Sequence, residues 1–450
     1  MADNPQTATS DAKPSDGFLE RYFELRKHGS TIRTEVVAGS TTFLAMAYIL
    51  FVNPAILSAT GMDEGAVFVA TALAAAIGTI IMGLWAKYPI AQAPGMGLNA
   101  FFAFTVVIGM GVPWETALAA TFVSGFLFFL LAITGVREAI INAIPMELKL
   151  AVGAGIGLFI AFIGLQNSEL IVGYEPTLIT LGDIGSPTSL LTIFGLLVTA
   201  LLLLRGIKGG VFYGIIVTSI VGMIFGLVGT PDAVVSAPPS LAPTFGQAFA
   251  NLPELLTAQM ALVVFTMLFV DLFDTTGTLI AVANQAGLVK DNKLPRANRA
   301  LLSDSIATMA GATLGTSTTT SYIESSAGVG AGGRTGLTSV MTSALFLVAL
   351  FFSPLLTVVN AYVTAPALII VGLMMAKGLG EIDWSKVEIA LPAFIVVIAM
   401  PLTYSIANGI ALGLFLYPLT MTFKGKAKEV SPAMWVLMAA FLAFFIWGID

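Results

Sequence analysis

The chain has 450 residues, of which 57% are hydrophobic and only 10% are charged, with a net charge of −6 and a mean hydropathy of +0.93. A soluble domain carries roughly 25% charged residues, so this chain is predicted to lie in a lipid bilayer. It has no cysteine, which excludes disulfides, thiolate metal sites and thiol catalysis. Its single histidine, His28, lies in the polar N-terminal segment, which argues against a histidine-based active site. We therefore expect no enzyme, no cofactor or metal site and no nucleic-acid partner.

Apolar runs of about 20 residues, each long enough to cross about 30 Å of hydrocarbon, recur along the chain. They predict an all-α polytopic membrane protein with about fourteen transmembrane spans. Spans 1 to 7 are predicted at 35–58, 66–87, 96–111, 115–135, 139–165, 189–206 and 209–230. Spans 8 to 14 are predicted at 255–284, 298–315, 320–331, 337–354, 361–377, 387–404 and 405–423. Residues 1–30 read as a cytoplasmic tail with an interfacial helix, and the apolar run at 432–449 is either an extra span or an interfacial helix.

The positions of lysine and arginine predict the orientation of these spans. Basic residues precede span 1 and follow the even-numbered spans 2, 4, 6 and 8, whereas the loops 166–188 and 231–254 contain none. By the positive-inside rule this places the N-terminus in the cytoplasm. We expect the membrane to be the plasma (inner) membrane. Span 1 then begins inside and span 8 outside, so the two halves are inverted relative to each other. Weak matches in the same order, such as 205–222 with 404–421, support seven plus seven spans in an inverted repeat, a layout typical of secondary transporters.

The third span of each half is interrupted. Span 3 begins "YPIAQAPGMGLNAFFAF", and the region of span 10 reads "LGTSTTTSYIESSAGVGAGGRTG". Proline, glycine and runs of threonine and serine disfavour regular helix. Irregular backbone at membrane depth is tolerated where it lines a cavity, and paired interruptions of this kind indicate the binding site of a transporter. Half-helices that begin near Gly97 and Ser325 would direct free N–H groups into that cavity, although glycine-mediated packing is the alternative reading.

Four carboxyl groups are predicted at membrane depth: Asp271, Asp274, Asp304 and Glu324. A charge at the bilayer centre costs at least ~3 kcal/mol, so these groups are expected in a polar cavity and not on the lipid face. We interpret Asp274 and Glu324 as ligand contacts. Asp304 is either a proton-coupling residue or a polar contact between helices. Asp271 aligns with Asn53 when spans 1 and 8 are superposed, which indicates a structural role for one of that pair.

Long blocks of the chain resemble one transporter family. These blocks are "TTFLAMAYILFVNP", "APGMGLNAFFAF", "FVDLFDTTGTLI" and "SDSIATMAGATLGTSTTTSYIESSAGVGAGGRTGLTS". They resemble the nucleobase–cation symporters of the azaguanine-resistance type, which are bacterial and fungal permeases for guanine, hypoxanthine and adenine, and the likeness extends from about residue 20 to 425. The resemblance implies a fold like that of the uracil permease, with a core domain of spans 1–4 and 8–11 and a gate domain of spans 5–7 and 12–14.

The corresponding domain boundaries follow from the predicted spans. We expect the core domain at 31–138 and 255–354, the gate domain at 139–230 and 355–423, and a C-terminal apolar segment at 424–450.

The resemblance also implies a binding site. Asp274, which precedes Gly277 in the family's acid-x-x-Gly pattern, and Glu324 would grip the base, while Asp304 matches a polar residue of span 9. The remaining residues expected around the base are Gly97, Asn99, Phe101, Phe273, Thr278 and Ser325, with Phe101 or Phe273 stacking on its face.

The expected function is proton-coupled import of purine nucleobases, often by a dimer, through an elevator or rocking motion of core against gate. Sodium is the alternative coupling ion. Guanine and hypoxanthine are the expected substrates. An adenine-preferring permease and an anion carrier of the same architecture are the alternatives. An intramembrane aspartyl protease is disfavoured because Asp271 and Asp274 share one helix and no "GxGD" segment occurs.

Overall fold

A computed structural model describes residues 17–134, 144–289 and 294–447, without the side chains of Phe273, Ala440 and residues 443–447. The predicted tail up to residue 16 lies outside these ranges, as do 135–143 and 290–293. A short helix, Phe18–Phe23, lies in the segment for which an interfacial helix was predicted, and a 3₁₀ turn at Arg26–His28 follows it.

Helices occupy every predicted span of the first half. In order, spans 1 to 7 are Ile32–Met46 with Ile49–Ser58, Glu64–Ile81 with the π-helix Met82–Ala86, Met96–Ala100 with the π-helix Phe101–Gly109, Trp114–Thr134, Met146–Asn167, Pro187–Leu204 and Gly210–Ile224. Between the halves lie the short helices Gln247–Ala250 and Leu252–Leu255.

The second half repeats this arrangement. In order, spans 8 to 14 are Ala258–Gln285, Ala297–Leu314, Ser325–Gly330, Gly336–Ala349 with the 3₁₀ segment Leu350–Val358, Ala361–Met375 with the 3₁₀ segment Ala376–Glu381, Val387–Leu402 and Ile406–Phe423. A 3₁₀ turn at Ala427–Glu429 precedes the last helix, Pro432–Trp447. Within the described ranges, nine helical segments of at least 18 residues are apolar enough to cross a membrane, and Met96–Gly109, Gly210–Ile224 and Val387–Leu402 are shorter apolar helices.

Among the residues that the structure describes, four short strands form two antiparallel pairs. The strands β2 (Ile171–Tyr174) and β3 (Leu178–Leu181) form a hairpin between spans 5 and 6. The strands β1 (Gln92–Pro94) and β4 (Thr319–Ser321) pair across the two halves of the chain. The interruptions of spans 3 and 10 are therefore joined to each other.

Helix packing follows the inverted repeat. Span 4 packs on span 9, and the equivalent span 11 packs on span 2; span 5 packs on span 13, and span 12 packs on span 6. The matched glycines behave alike, because a Cβ at Gly214 would meet Thr199 of span 6 and a Cβ at Gly413 would meet Val396 of span 13. Spans 5 and 12, the first spans of the two gate repeats, also pack closely on each other. The boundaries given above for the domains stay a prediction.

Candidate functional site: a strand pair and a cavity between two groups of spans

The pair of β1 and β4 holds the two interrupted spans together. Gln92 lies opposite Ser321, Ala93 opposite Thr320 and Pro94 opposite Thr319. The pairing continues on either side, since the backbone N–H of Gly95 donates to Thr318 at 2.9 Å and that of Tyr322 donates to Ala91 at 2.9 Å. Backbone groups without a helix at this depth need partners inside the protein, and here each strand supplies the partners of the other.

Two threonines hold the strands by equivalent contacts. The Thr79 hydroxyl of span 2 donates to the backbone oxygen of Gln92 at 3.0 Å and accepts from its backbone N–H at 2.8 Å. The Thr308 hydroxyl of span 9 does the same for Thr319, at 3.0 and 3.2 Å. Because spans 2 and 9 are repeat equivalents, the same device fixes the first residue of each strand.

A half-helix follows each strand. Span 3 begins at Met96 after Gly95, and span 10 begins at Ser325. The predicted site residue Ser325 is buried, and its hydroxyl accepts from the backbone N–H of Ala91. Ser325 therefore links span 10 to the segment that precedes span 3. Asn99 is also fully buried; its side-chain oxygen accepts from the Ser317 hydroxyl, while its amide nitrogen has no partner within the described part of the chain.

Asp304 lies at the centre of a fully buried polar network behind the strands. It accepts from the Gln92 amide at 2.9 Å, from the Ser321 hydroxyl at 3.2 Å and from the Thr275 hydroxyl at 2.9 Å. Ser303 donates in turn to the Gln92 side chain at 3.2 Å. One carboxyl group thus connects spans 8 and 9 with both strands.

Asp271 and Asn53 occupy equivalent positions in spans 8 and 1, and both are fully buried. Asn53 donates to Thr71 at 2.6 Å and to Thr316 at 2.8 Å. Asp271 accepts from Thr275 at 3.4 Å, and Thr275 also contacts Asp304. Asn53 thus bonds directly to the following span of its repeat, whereas Asp271 is linked to span 9 through Thr275 of its own helix.

A cavity of about 410 Å³ lies between spans 3, 8 and 10 on one side and spans 5 and 12 on the other. Gly97 and Leu98 of span 3, Asp274, Gly277 and Thr278 of span 8, and Ile323 of span 10 line it on one side. The other side is formed by spans 5 and 12, from Met146 to Ile156 and at Met375, Gly378 and Glu381. The Asp274 side chain is exposed to this space, and Thr320 of β4 interacts with it. The predicted residues Asp274, Gly97 and Thr278 are thus brought to one cavity.

Glu324 lies immediately before the half-helix of span 10 and is half-buried. Its carboxylate accepts from the Tyr48 hydroxyl of span 1 at 2.6 Å. It also interacts electrostatically with Asp274, so the two carboxyl groups predicted to bind ligand belong to one neighbourhood.

The aromatic residues expected to stack on a ligand are placed differently. Phe101 is 1% exposed and packs in the main hydrophobic core, and it does not belong to the lining of the cavity. The side chain of Phe273 lies outside the described part of the structure.

Several polar residues of the site did not stand out in the sequence. Tyr48 and Gln92 occur inside motifs that carry the family resemblance, yet their partners lie in span 10 and span 9 respectively. Lys149 and Glu381 add charges to the cavity from spans 5 and 12. Lys149 lies inside the predicted span 5, where the sequence shows no partner for it, and Glu381 lies beyond the predicted end of span 12.

Comparisons with known proteins agree on one family. A model of the permease family, for xanthine and uracil permeases, matches residues 33–412. The guanine/hypoxanthine permease PbuG of Bacillus subtilis is 58% identical over 437 residues, covering 95% of this chain and 99% of that protein. The adenine permease AdeQ of Escherichia coli is 45% identical over 426 residues, covering 94% and 95%.

Solved structures show the same fold at low sequence identity. The transmembrane domain of the cyanobacterial bicarbonate transporter BicA has a TM-score of 0.62 at 15% identity, covering 84% of this chain and 97% of that domain. The murine anion transporter Solute Carrier 26 family member A9, in its inward-facing state, has a TM-score of 0.62 at 12% identity, covering 93% and 74%. The chain belongs to the xanthine/uracil permease family, and it is a multi-pass membrane transporter rather than an enzyme.

Proposed function

We propose that the protein imports purine nucleobases, with guanine and hypoxanthine preferred, across the plasma membrane by proton symport. The observation that carries this proposal is the cavity lined by Asp274 beside Glu324, at the junction of both interrupted spans. The guanine/hypoxanthine permease PbuG, at 58% identity over nearly the whole chain, supports this choice of substrate. An adenine preference is the alternative, supported by the adenine permease AdeQ at 45% identity.

The chemistry of the cavity suits a purine. Its volume of about 410 Å³ lies within the roughly 300–1,000 Å³ typical of small-molecule sites. Most of its lining is apolar, which suits a flat aromatic ring, and its carboxylates accept hydrogen bonds from ring N–H groups. Gly277, three residues after Asp274 on the same helix, leaves its backbone exposed to the cavity. A base held by two carboxylates is oriented by its N–H pattern.

The transport movement proposed is a displacement of spans 1–4 and 8–11 against spans 5–7 and 12–14. The cavity lies between these groups, so such a displacement alters access to it. Its lining extends to Met146, at the start of span 5, and to Glu381, after span 12. With a cytoplasmic N-terminus, both are cytoplasmic ends, and the structure then represents an inward-facing state.

For the coupling ion we propose a proton, with sodium as the alternative. Carboxyl groups removed from water favour their neutral form, so they can carry a proton through the membrane. Asp274 lines the cavity and interacts electrostatically with the nearby Glu324, whereas Asp271 and Asp304 are fully buried in the polar network. The dimer expected for this family is part of the same proposal.

The test is uptake of labelled hypoxanthine by cells that lack their own purine permeases. Guanine, adenine, xanthine and uracil serve as unlabelled competitors, and a protonophore removes the proton gradient. We expect guanine to compete and the protonophore to abolish accumulation. Competition by adenine alone would change the substrate within the family. Uptake of bicarbonate or sulfate in place of any purine would support an anion carrier. In that case Lys149, which lines the cavity, would supply a positive charge for the anion.

Glu324→Gln tests the site itself. The amide presents a donor where the carboxylate accepts, so we expect hypoxanthine uptake to fall at least roughly tenfold, the loss of one hydrogen bond to a charged group. Membrane abundance, measured by immunoblot, should stay at the level of the unmodified protein. Normal uptake by this variant would remove Glu324 from the binding site.

A further inference from the structure

Tyr48 lies where span 1 is interrupted. Two residues, Ala47 and Tyr48, separate the helix Ile32–Met46 from the helix Ile49–Ser58. The backbone N–H groups of Phe51 and Val52 both donate to the Tyr48 carbonyl, which tightens the chain at this point. The Tyr48 side chain is 1% exposed and its hydroxyl donates to Glu324 at 2.6 Å. The turn thus directs a buried hydroxyl at a carboxyl group predicted to bind ligand.

The contact between Tyr48 and Glu324 has a chemical consequence for Glu324. A buried phenol hydroxyl requires a partner, and a hydrogen bond to a carboxylate is stronger than one between neutral groups. The hydroxyl donates to Oε1, so this hydrogen bond restrains the orientation of the carboxylate and leaves Oε2 outside the contact. A carboxylate held in this way presents a defined oxygen to a ligand instead of sampling several rotamers.

Span 1 also contacts the half-helix of span 10 and the chain that follows it. Gly328 packs against Thr42 and Ala38, and a Cβ there would lie 2.6 Å from the Ala38 carbonyl oxygen. The fully buried Glu35 accepts from the backbone N–H of Arg334 at 3.0 Å and that of Thr338 at 3.1 Å. Because these contacts immobilise span 10 relative to span 1, the distance between Tyr48 and Glu324 is set by the fold.

We propose that Tyr48 is a positioning residue for purine binding: it holds Glu324 so that one carboxylate oxygen is available to a ring N–H of the base. This inference rests on the proposed function, since it takes Glu324 as a ligand contact. Tyr48 itself acts through Glu324 and makes no contact with the base. The same hydroxyl favours Glu324 as an acceptor, so Tyr48 also selects for bases that present an N–H at that position.

Tyr48→Phe tests the inference because it removes the hydroxyl and keeps the ring in its buried place. We expect the KM for hypoxanthine to rise roughly tenfold to a hundredfold, the range for losing a hydrogen bond to a charged group, with the maximal rate within about twofold. Tyr213→Phe is the matched control, since Tyr213 is a half-buried tyrosine of span 7 in the other group of spans. Its KM should stay unchanged.

Binding of labelled hypoxanthine to the purified protein separates positioning from a structural role. In the Glu324→Gln background, Tyr48→Phe should weaken binding no further, because its effect passes through the carboxylate. A KM unchanged by Tyr48→Phe, or a drop in melting temperature that accounts for the loss of uptake, would overturn the inference. The proposed function fails separately, if the unmodified protein transports no purine. Normal transport by Glu324→Gln would instead remove the ligand contact on which this inference rests.

Discussion

The four carboxyl groups predicted at membrane depth differ in their burial and in their hydrogen-bond donors. Asp304 is fully buried with three side-chain donors, whereas Asp274 is exposed to the cavity. Glu324 is half-buried with a tyrosine donor, and Asp271 shares Thr275 with Asp304. Sequence spacing singled out all four residues because charges in apolar runs are costly. The spacing could not rank them by environment, because the donors to Asp304 and Glu324 come from other parts of the chain. Only Thr275, the donor to Asp271, lies on the same helix as its acceptor.

Asp304→Ala is expected to destabilise the protein. The substitution leaves the Gln92 amide and the Ser321 and Thr275 hydroxyls buried without their acceptor. Because these buried donors would be left unsatisfied, we expect the free energy of unfolding to fall by on the order of 3 kcal/mol. Thermal unfolding of the purified protein in detergent measures it. Asp383→Ala, in the exposed turn before span 13, is the control and should melt like the unmodified protein. Equal melting of both variants would show that the network contributes little to stability.

At the scale of elements, the two interrupted spans depend on each other. Proline, glycine and the run of threonines predicted interruptions of the helices in spans 3 and 10. In the structure these helices begin only at Met96 and Ser325. The pairing of β1 with β4 was not predicted, because strands of three residues have no periodicity to detect and their partners lie 229 residues apart, as for Gln92 and Ser321. Helix breaks are local properties of a sequence, whereas strand pairing is not.

Gly328→Ala is expected to displace the half-helix that carries Glu324. The added methyl group would overlap Thr42 and lie 2.6 Å from the Ala38 carbonyl oxygen, and overpacking of this kind costs roughly 1–3 kcal/mol. We expect hypoxanthine uptake to fall several-fold.

Gly330→Ala is the matched control, two residues further along the same half-helix. A Cβ at Gly330 meets nothing within 4 Å, so uptake by this variant should be unchanged. Similar losses in both variants would mean that glycine flexibility, and not close packing on span 1, is what span 10 requires.

At the scale of the whole molecule, the inverted repeat creates the cavity. Spans 3, 8 and 10 approach spans 5 and 12 there, and no single stretch of sequence contains more than a fraction of the lining. The sequence predicted the repeat and the number of spans from periodicity and charge. The likeness to BicA at 15% identity shows how little of this fold depends on particular residues.

Thr278→Cys tests which way the cavity opens, since the chain has no other cysteine. Thr278 lines the cavity, so its thiol should react with a membrane-impermeant maleimide in inside-out vesicles, and hypoxanthine should protect it. Ala283→Cys, fully buried on the same helix, is the control and should stay unlabelled. Labelling confined to right-side-out vesicles would reverse the proposed orientation.

The sequence by itself determined that the chain lies in a membrane and where its spans begin and break, and it predicted four carboxyl groups at membrane depth. These features follow from hydrophobicity, periodicity and the cost of burying charge, which act along the chain. Only the tertiary structure decided that Thr79 and Thr308 clamp the two strands, that Tyr48 meets Glu324 and that Phe101 packs in the core. Hydrogen-bond partners and cavity walls depend on which spans become neighbours, and long-range packing decides that.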